Sequence, residues 1–163
     1  MGSFLQNHNI HQAWITISID GALQTGDVID ISNWNRVGFL ATCNDSTGVT
    51  TFAPLSHATI GGAGTAMTLV TDYWEMENAT SLVTDNVAWV HNNQAAAATV
   101  ATTSGSASMI YFEFMADQFP AGSDFFSVDL TVETGGASIV AGHYILSEAR
   151  YASTGAHTTV NPA

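Results

Sequence analysis

The segment FSVDLTVE, residues 126–133, decides the fold class. Its apolar residues alternate with polar ones, and they are Phe126, Val128, Leu130 and Val132. Successive side chains of a β-strand point to opposite faces, so an alternation of period two predicts a strand with one buried face. The segment WITISI, residues 14–19, repeats the pattern, with Ile15, Ile17 and Ile19 on one face.

Further segments are rich in β-branched and aromatic residues, which favour strands. The more continuously apolar ones predict central strands that are covered on both faces or lie in an interface. They are RVGFLAT (36–42), TAMTLVT (65–71), ASMIYFEFM (107–115) and SIVAGHYIL (138–146). Shorter strands are predicted at VTTFA (49–53) and NVAWV (86–90).

Glycine-rich and polar segments separate these strands. VETGGASIV (132–140) predicts a hairpin, in which Gly135 and Gly136 supply the positive φ angles of a tight turn. NNQAAAATVATTSG (92–105) is the one segment that could form a short helix, since alanine favours helices, but the Thr, Val and Ser that follow do not extend it.

The pattern as a whole predicts an all-β fold, an antiparallel β-sandwich or jelly roll in a single domain. We assign residues 1–12 to an N-terminal arm, 13–153 to the sandwich domain and 154–163 to a C-terminal tail. A chain of 163 residues buries a sizeable core without disulfides, and the one cysteine, Cys43, is expected in or near that core.

The charge balance limits the possible partners. Fourteen carboxylates face two arginines, Arg36 and Arg150, and the net charge is −12. Such a field repels nucleic acid and anionic membranes, so we expect neither as a partner. Self-repulsion also keeps a protein soluble at high local concentration.

Motifs for catalysis or cofactor binding are not found in the sequence. It has no G-x-S-x-G, P-loop, G-x-G-x-x-G or H-E-x-x-H pattern, so we expect no enzyme, no cofactor and no metal site. One alternative is a glycosidase that uses Glu75 and Glu77, which share a strand face at a separation of roughly 6–7 Å.

The tryptophans leave a second alternative open. They are Trp14, Trp34, Trp74 and Trp89. Packing in the core is the usual role of aromatic residues in a sandwich, but one or two of them could form a platform on which a sugar stacks. The alternative function is therefore a carbohydrate-binding sandwich or an adhesin.

The two arginines have two interpretations. Guanidinium binds carboxylates in a bidentate manner and is less costly to bury than ammonium. Arg36 and Arg150 either neutralise neighbouring carboxylates and hold strand ends, or they contact acidic groups of another subunit. Alternation places Arg36 on the strand face opposite Val37 and Phe39.

Two blocks of sequence resemble a group of small proteins from tailed bacteriophages and prophages. The first, TGDVIDISNWNRVGFLATC (25–43), is similar to their D-x-I/V-D-L/I-S-x-[YW]-x-R/K-V strand. The second, DFFSVDLTVETGGASIVAGHYILSEARYAS (124–153), is similar to their final strand and its A-I-L-x-x-x-R-Y-A ending. The spacings of Trp34, Arg36 and Val37, and of Arg150, Tyr151 and Ala152, are the distinctive parts.

That resemblance implies a head decoration or cement protein. Such a protein would bind the major capsid protein on the outer surface of the virion, as a homo-oligomer on the capsid, and would have no enzymatic activity. It makes Trp34, Arg36, Arg150 and Tyr151 the candidate structural or interface residues.

Overall fold

A computed structural model describes residues 8–21, 23–45, 48–68, 70–78, 88–102, 107–132 and 137–149. These residues form twelve strands and one short 3₁₀ helix, Ala116–Gln118. The strands are β1 (His8–Asp20), β2 (Leu23–Gln24), β3 (Ile29–Asp30), β4 (Trp34–Asp45), β5 (Thr50–His57), β6 (Thr65–Ala66), β7 (Val70–Asn78), β8 (Val90–Ala97), β9 (Val100–Ala101), β10 (Ala107–Met115), β11 (Phe125–Val132) and β12 (Ala137–Ala149).

The strands form two sheets. Sheet 1 has the order β1-β12-β4-β10-β7-β8, and sheet 2 has the order β2-β11-β5-β6. Two short strands join sheet 2 at its sides, β3 beside β11 and β9 beside β5. Every pairing is antiparallel, which confirms the all-β sandwich.

The core lies between the inner faces of the two sheets. All four apolar residues of FSVDLTVE are fully or almost fully buried in β11, as alternation predicts. Phe39 of sheet 1 is at the centre, with ring centroids 5.5 Å from both Trp14 and Phe52 and 5.1 Å from Phe112. Phe52 belongs to sheet 2, so these aromatic contacts join the two sheets.

Tyr144 adds a hydrogen bond between the sheets. Its side chain extends from β12 in sheet 1, and its hydroxyl accepts a hydrogen bond from the backbone N–H of Val128 in sheet 2, at 3.1 Å. Residues 25–28, between β2 and β3, are not strand partners of β11, and the Val128 N–H has the Tyr144 hydroxyl as its acceptor in place of a strand carbonyl. The carbonyl of Val128 accepts a hydrogen bond from the N–H of Gly26 at 3.2 Å. Both backbone polar groups of Val128 therefore have a partner. Burial raises the pKa of Tyr144, so the hydroxyl stays protonated.

The start of the sheet differs from the sequence prediction. Strand β1 begins at His8, so residues 8–12, assigned above to the arm, pair with β12 as part of sheet 1. These residues are polar or partly exposed, which is why they lack the apolar alternation that identifies a strand. Backbone pairing places them in the sheet. Residues 1–7 and the predicted tail lie outside the described residues.

The predicted hairpin at VETGGASIV is wrong. Its two strands, β11 and β12, belong to different sheets and do not pair with each other. The chain crosses from sheet 2 to sheet 1 at this point, and local glycine content does not distinguish a crossing from a hairpin. Each of the two strands has one face buried in the core. Packing against the core therefore sets the position of each strand, and pairing with the next strand in the sequence does not.

The alanine-rich segment is extended and not helical where it is described. Residues 92–97 belong to β8, at the edge of sheet 1, and Val100–Ala101 form β9 in sheet 2. Pairing with neighbouring strands overrides the helix propensity of alanine here. The predicted strand TAMTLVT is divided between β6 and β7, and NVAWV contributes only Val90 to a strand within the described residues.

Replacement of Tyr144 by phenylalanine tests the bond between the sheets. The ring packing is retained, but the buried N–H of Val128 loses its acceptor. We expect the free energy of unfolding to fall by about 1–3 kcal/mol, measured by urea denaturation at neutral pH. An unchanged unfolding midpoint would show that the bond contributes nothing to stability.

A matched pair of glycine variants tests the packing of the core. A Cβ on Gly142 would lie 2.5 Å from Cζ3 of Trp14, whereas a Cβ on Gly61 has no atom within 4 Å. We expect Gly142→Ala to cost about 1–3 kcal/mol because the Trp14 ring must move, and Gly61→Ala to cause no loss. Equal effects of the two changes on the melting temperature would contradict this packing.

Candidate functional site

The outer face of sheet 1 holds the candidate site. Along β4, Val37, Phe39 and Ala41 are buried in the core, so the residues between them point outward. Strand register aligns outward side chains from all six strands in one row. In order across the sheet, the row is Gln12, His143, Leu40, Tyr111, Trp74 and His91.

Part of this row forms an open cavity, which we call the aromatic groove. It has a volume of about 390 Å³ and is lined by Leu40, Trp74, Trp89 and Tyr111. The lining is almost entirely apolar, and Trp89 is 41% exposed. A Cβ on Gly38 would lie 2.7 Å from the hydroxyl oxygen of Tyr111, so the glycine leaves room for this ring over β4.

The rings of the aromatic groove are inclined to each other. The ring of Trp74 lies 5.9 Å from that of Tyr111 at 50° and 5.1 Å from that of His91 at 33°. These three rings therefore do not form the flat stacking platform on which the carbohydrate alternative depends. They support each other as the tilted walls of a pocket.

Beside the groove lies a second group, which we call the arginine cluster. Arg36 contacts Glu113 at 2.6 Å and Glu148 at 3.1 Å through its two terminal nitrogens. The hydroxyl of Tyr111 donates to the other oxygen of Glu113 at 2.7 Å. Burial and the Glu113 carboxylate both raise the pKa of Tyr111, so its hydroxyl stays a donor. Tyr111 belongs to both groups, and the cluster fixes one wall of the groove.

A third group of polar side chains lies on the other side of Trp74. Asp72 accepts hydrogen bonds from the Thr71 hydroxyl at 2.8 Å and from the Asn93 amide at 3.0 Å. The ring of His91 lies 2.9 Å from the same carboxylate. The bonds from Thr71 and Asn93, followed by that from His91, hold the pKa of Asp72 below its usual value. This part of the face therefore carries a negative charge at neutral pH.

The predicted interface residues are only partly described. Trp34 is buried at the start of β4, opposite Ala149, and lines a cleft of about 20 Å³ together with Arg36. A cleft of that size holds about one water molecule, so it is not a ligand site. Arg36 lies between two carboxylates of its own chain, the arrangement that the first interpretation describes. Arg150 and Tyr151 lie outside the described residues, and their roles stay predictions.

Of the two carboxylates of the glycosidase alternative, Glu75 does not line the aromatic groove. Glu75 is buried and pairs with Ile110, on the core side of sheet 1. Its carboxylate accepts a hydrogen bond from the Asn92 amide at 3.3 Å. Trp74 points to the opposite face, so Glu75 would have to leave the core to meet a substrate in the groove. The side chain of Glu77 is outside the described residues.

The outer face of sheet 2 has a covered Ser–His pair. Nε2 of His57 lies 2.8 Å from the hydroxyl of Ser127, and Nδ1 lies 3.0 Å from the carbonyl of Gly62. Both side chains are buried, so the pair fastens the 58–64 segment over the sheet and does not meet solvent.

Among the described residues, no group of three or more His, Cys, Asp or Glu side chains is placed to hold a metal ion. In the same ranges, no helix has the length and apolar character to cross a membrane.

Comparisons with known proteins do not assign this chain to a family. No family model matches the chain, and no curated protein matches it. Among solved structures, it is similar to the SPBc2 prophage-derived protein YomS, with a TM-score of 0.44 and 9% sequence identity. The likeness covers 87% of this chain and 94% of that one. At these values it carries no inference about function.

Sequence reasoning missed Tyr111 and Glu113. Both lie in ASMIYFEFM, for which the sequence predicts a central strand that is covered on both faces or lies in an interface, without singling out these two side chains. Alternation within that segment separates the buried Ile110, Phe112 and Phe114 from the more polar positions between them. That pattern was a signal for an outward-facing set of side chains. The sequence does not show which strands lie beside this one and complete the groove, because that depends on the strand pairing and its register.

A double-mutant cycle tests the arginine cluster. Glu113 is closer to Arg36 than Glu148 is, and its side chain is 25% exposed against 51%. We expect a coupling free energy of about 0.5–1 kcal/mol between Arg36 and Glu113 and a smaller one with Glu148. Both coupling free energies are measured by urea unfolding of Arg36→Gln, Glu113→Gln, Glu148→Gln and the two double variants that combine Arg36→Gln with each glutamate change.

The matched control cycle pairs Arg36 with Asp72, which contacts other side chains. Its coupling should be close to zero. A coupling with Glu148 larger than that with Glu113 would contradict the geometry of the cluster.

Proposed function

We propose that this protein is a structural component of a tailed-phage virion. It decorates or cements the outer surface of the capsid by binding the major capsid protein through the outer face of sheet 1. The proposal also includes self-association into a homo-oligomer on the capsid, and no binding of nucleic acid or membranes. The support for this proposal is the resemblance of the two sequence blocks to phage proteins and the character of the outer face of sheet 1.

The observation that carries the proposal is the uneven distribution of exposed apolar side chains. Among the described residues, large apolar side chains that are exposed are Ile10, Leu23, Trp89, Val90, Met115 and Ile139. Leu23 belongs to sheet 2, and Val90 pairs with Glu75 on the core side of sheet 1. Ile10, Met115 and Ile139 lie on the outer face of sheet 1, and Trp89 lines the aromatic groove on that face. Apolar surface that is concentrated on one side of a small domain marks an interaction surface.

The negative charge of the chain supports a position on the outer surface of the capsid. A net charge of −12 keeps neighbouring copies soluble when many of them are close together. The same charge opposes contact with the phosphate backbone, so a position facing the packaged DNA is unfavourable. An acidic domain with one apolar side is suited to bind a protein shell from outside.

Small contacts are sufficient for such a role. A standard interface buries about 800 Å² on each partner. Apolar area contributes about 25 cal/mol per Å² before the entropic cost of association. Repetition over many copies adds these contributions over the whole shell, which would then resist internal pressure better.

Averaged reconstruction of the intact particle tests the proposal. We expect density for this chain on the outer face of the shell, with sheet 1 turned toward the capsid protein. Particles made without the chain should lose that density and release DNA at a lower temperature. Density in the tail, or a chain that does not copurify with particles, would refute a capsid role.

A further inference from the structure

We propose that the aromatic groove is an anchor pocket for one apolar side chain from a basic segment of the partner protein. This rests on the proposed function and names the chemistry of the partner at that surface. The anchor is an aliphatic or aromatic residue, and at least one Lys or Arg lies beside it in the partner's chain.

The lining of the groove selects an apolar occupant. Leu40, Trp74, Trp89 and Tyr111 surround a volume of about 390 Å³ and offer almost no polar surface. A side chain with hydroxyl or amide groups would lose its hydrogen bonds to water there without replacement. Tryptophan and tyrosine are also the residues that most often carry the binding energy of protein interfaces.

The groove is held in shape before a partner binds. Tyr111 lies over Gly38 and is fixed by its bond to Glu113. Trp74 packs between Tyr111 and His91. Because these rings are already ordered, binding costs little side-chain entropy.

The rim of the groove selects a cation beside the anchor. The charged groups described around it are three carboxylates (Asp72, Glu113 and Glu148) and one guanidinium, that of Arg36. Arg36 is shared by Glu113 and Glu148, and the three carboxylates and one guanidinium sum to a formal charge of −2. A Lys or Arg of the partner would complement this charge and speed association.

The same charge makes a second copy of this chain the poorer occupant. Two such faces brought together would oppose carboxylates to carboxylates, and the whole chain has only two cations to offset fourteen acids. Like charges placed across an interface are unfavourable. A basic partner is favoured over self-association through the groove.

Selection from a random peptide library displayed on yeast tests this without the capsid. We expect enriched peptides to share one large apolar residue next to Lys or Arg. No enrichment, or enriched peptides without a basic residue, would overturn the proposal. Groove-dependent binding of glycans on an array, or groove-dependent self-association in sedimentation, would also overturn it.

Matched variants assign the binding to the groove. For an enriched peptide, we expect Trp89→Ala to weaken affinity at least about tenfold, while Leu23→Ala, an exposed apolar residue of sheet 2, leaves it unchanged. Asp72→Asn should weaken binding at low salt and reduce its dependence on salt. Circular dichroism melting shows that each variant is folded, and the Asp72 variant keeps the proposal falsifiable if Trp89→Ala does not fold.

The outcome separates this inference from the proposed function. A chain that decorates the capsid while Trp89→Ala binds capsids as tightly as the unchanged protein would refute the anchor pocket and leave the capsid role standing. A groove that selects basic peptides in a chain absent from virions would refute the capsid role alone.

Discussion

The hydroxyl of Tyr144 makes a buried polar contact that aligns the two sheets, together with the bond from the Thr50 hydroxyl of β5 to the Ser138 hydroxyl of β12. It extends from sheet 1 through the aromatic core and satisfies a backbone N–H of sheet 2, at Val128. Most of the attraction between the sheets is apolar and has no preferred direction, whereas this bond allows one alignment only. The N–H of Gly26 donates to the carbonyl of the same residue, Val128. A Cβ on Gly26 would lie 2.6 Å from the hydroxyl oxygen of Tyr144. The core thereby fixes which residues of β12 and β4 face inward, and so which ones form the outer face.

One of the two cations of the chain, Arg36, lies beside that outer face. A surface that is apolar at its centre and acidic at its rim needs few positive charges, and Arg36 is placed where two glutamates of different strands converge. Its role in the described structure is to order Glu113, which in turn orders Tyr111 at the groove. The arginine thus acts through its neighbours and does not itself provide a free cation to a partner.

Much of the fold follows from the sequence, because the alternation in β11 and the apolar segments of β10 and β12 predict strands that pack against one core. Prediction failed where local pattern and pairing disagree. The first residues of β1 are mostly polar, β8 is alanine-rich at a sheet edge, and β11 and β12 belong to different sheets although they are consecutive in the sequence. The groove could not be predicted, since its four residues come from distant segments and meet only through register. Arg36 and Glu113 are likewise 77 residues apart.

The central claim is that the outer face of sheet 1 is the binding face of this protein. Hydroxyl-radical footprinting of the free and the capsid-bound chain measures it residue by residue. The account predicts reduced oxidation of Trp89 and Met115 on the capsid and unchanged oxidation of Leu23 on the opposite sheet. Protection of Leu23 with Trp89 and Met115 still oxidised would contradict it.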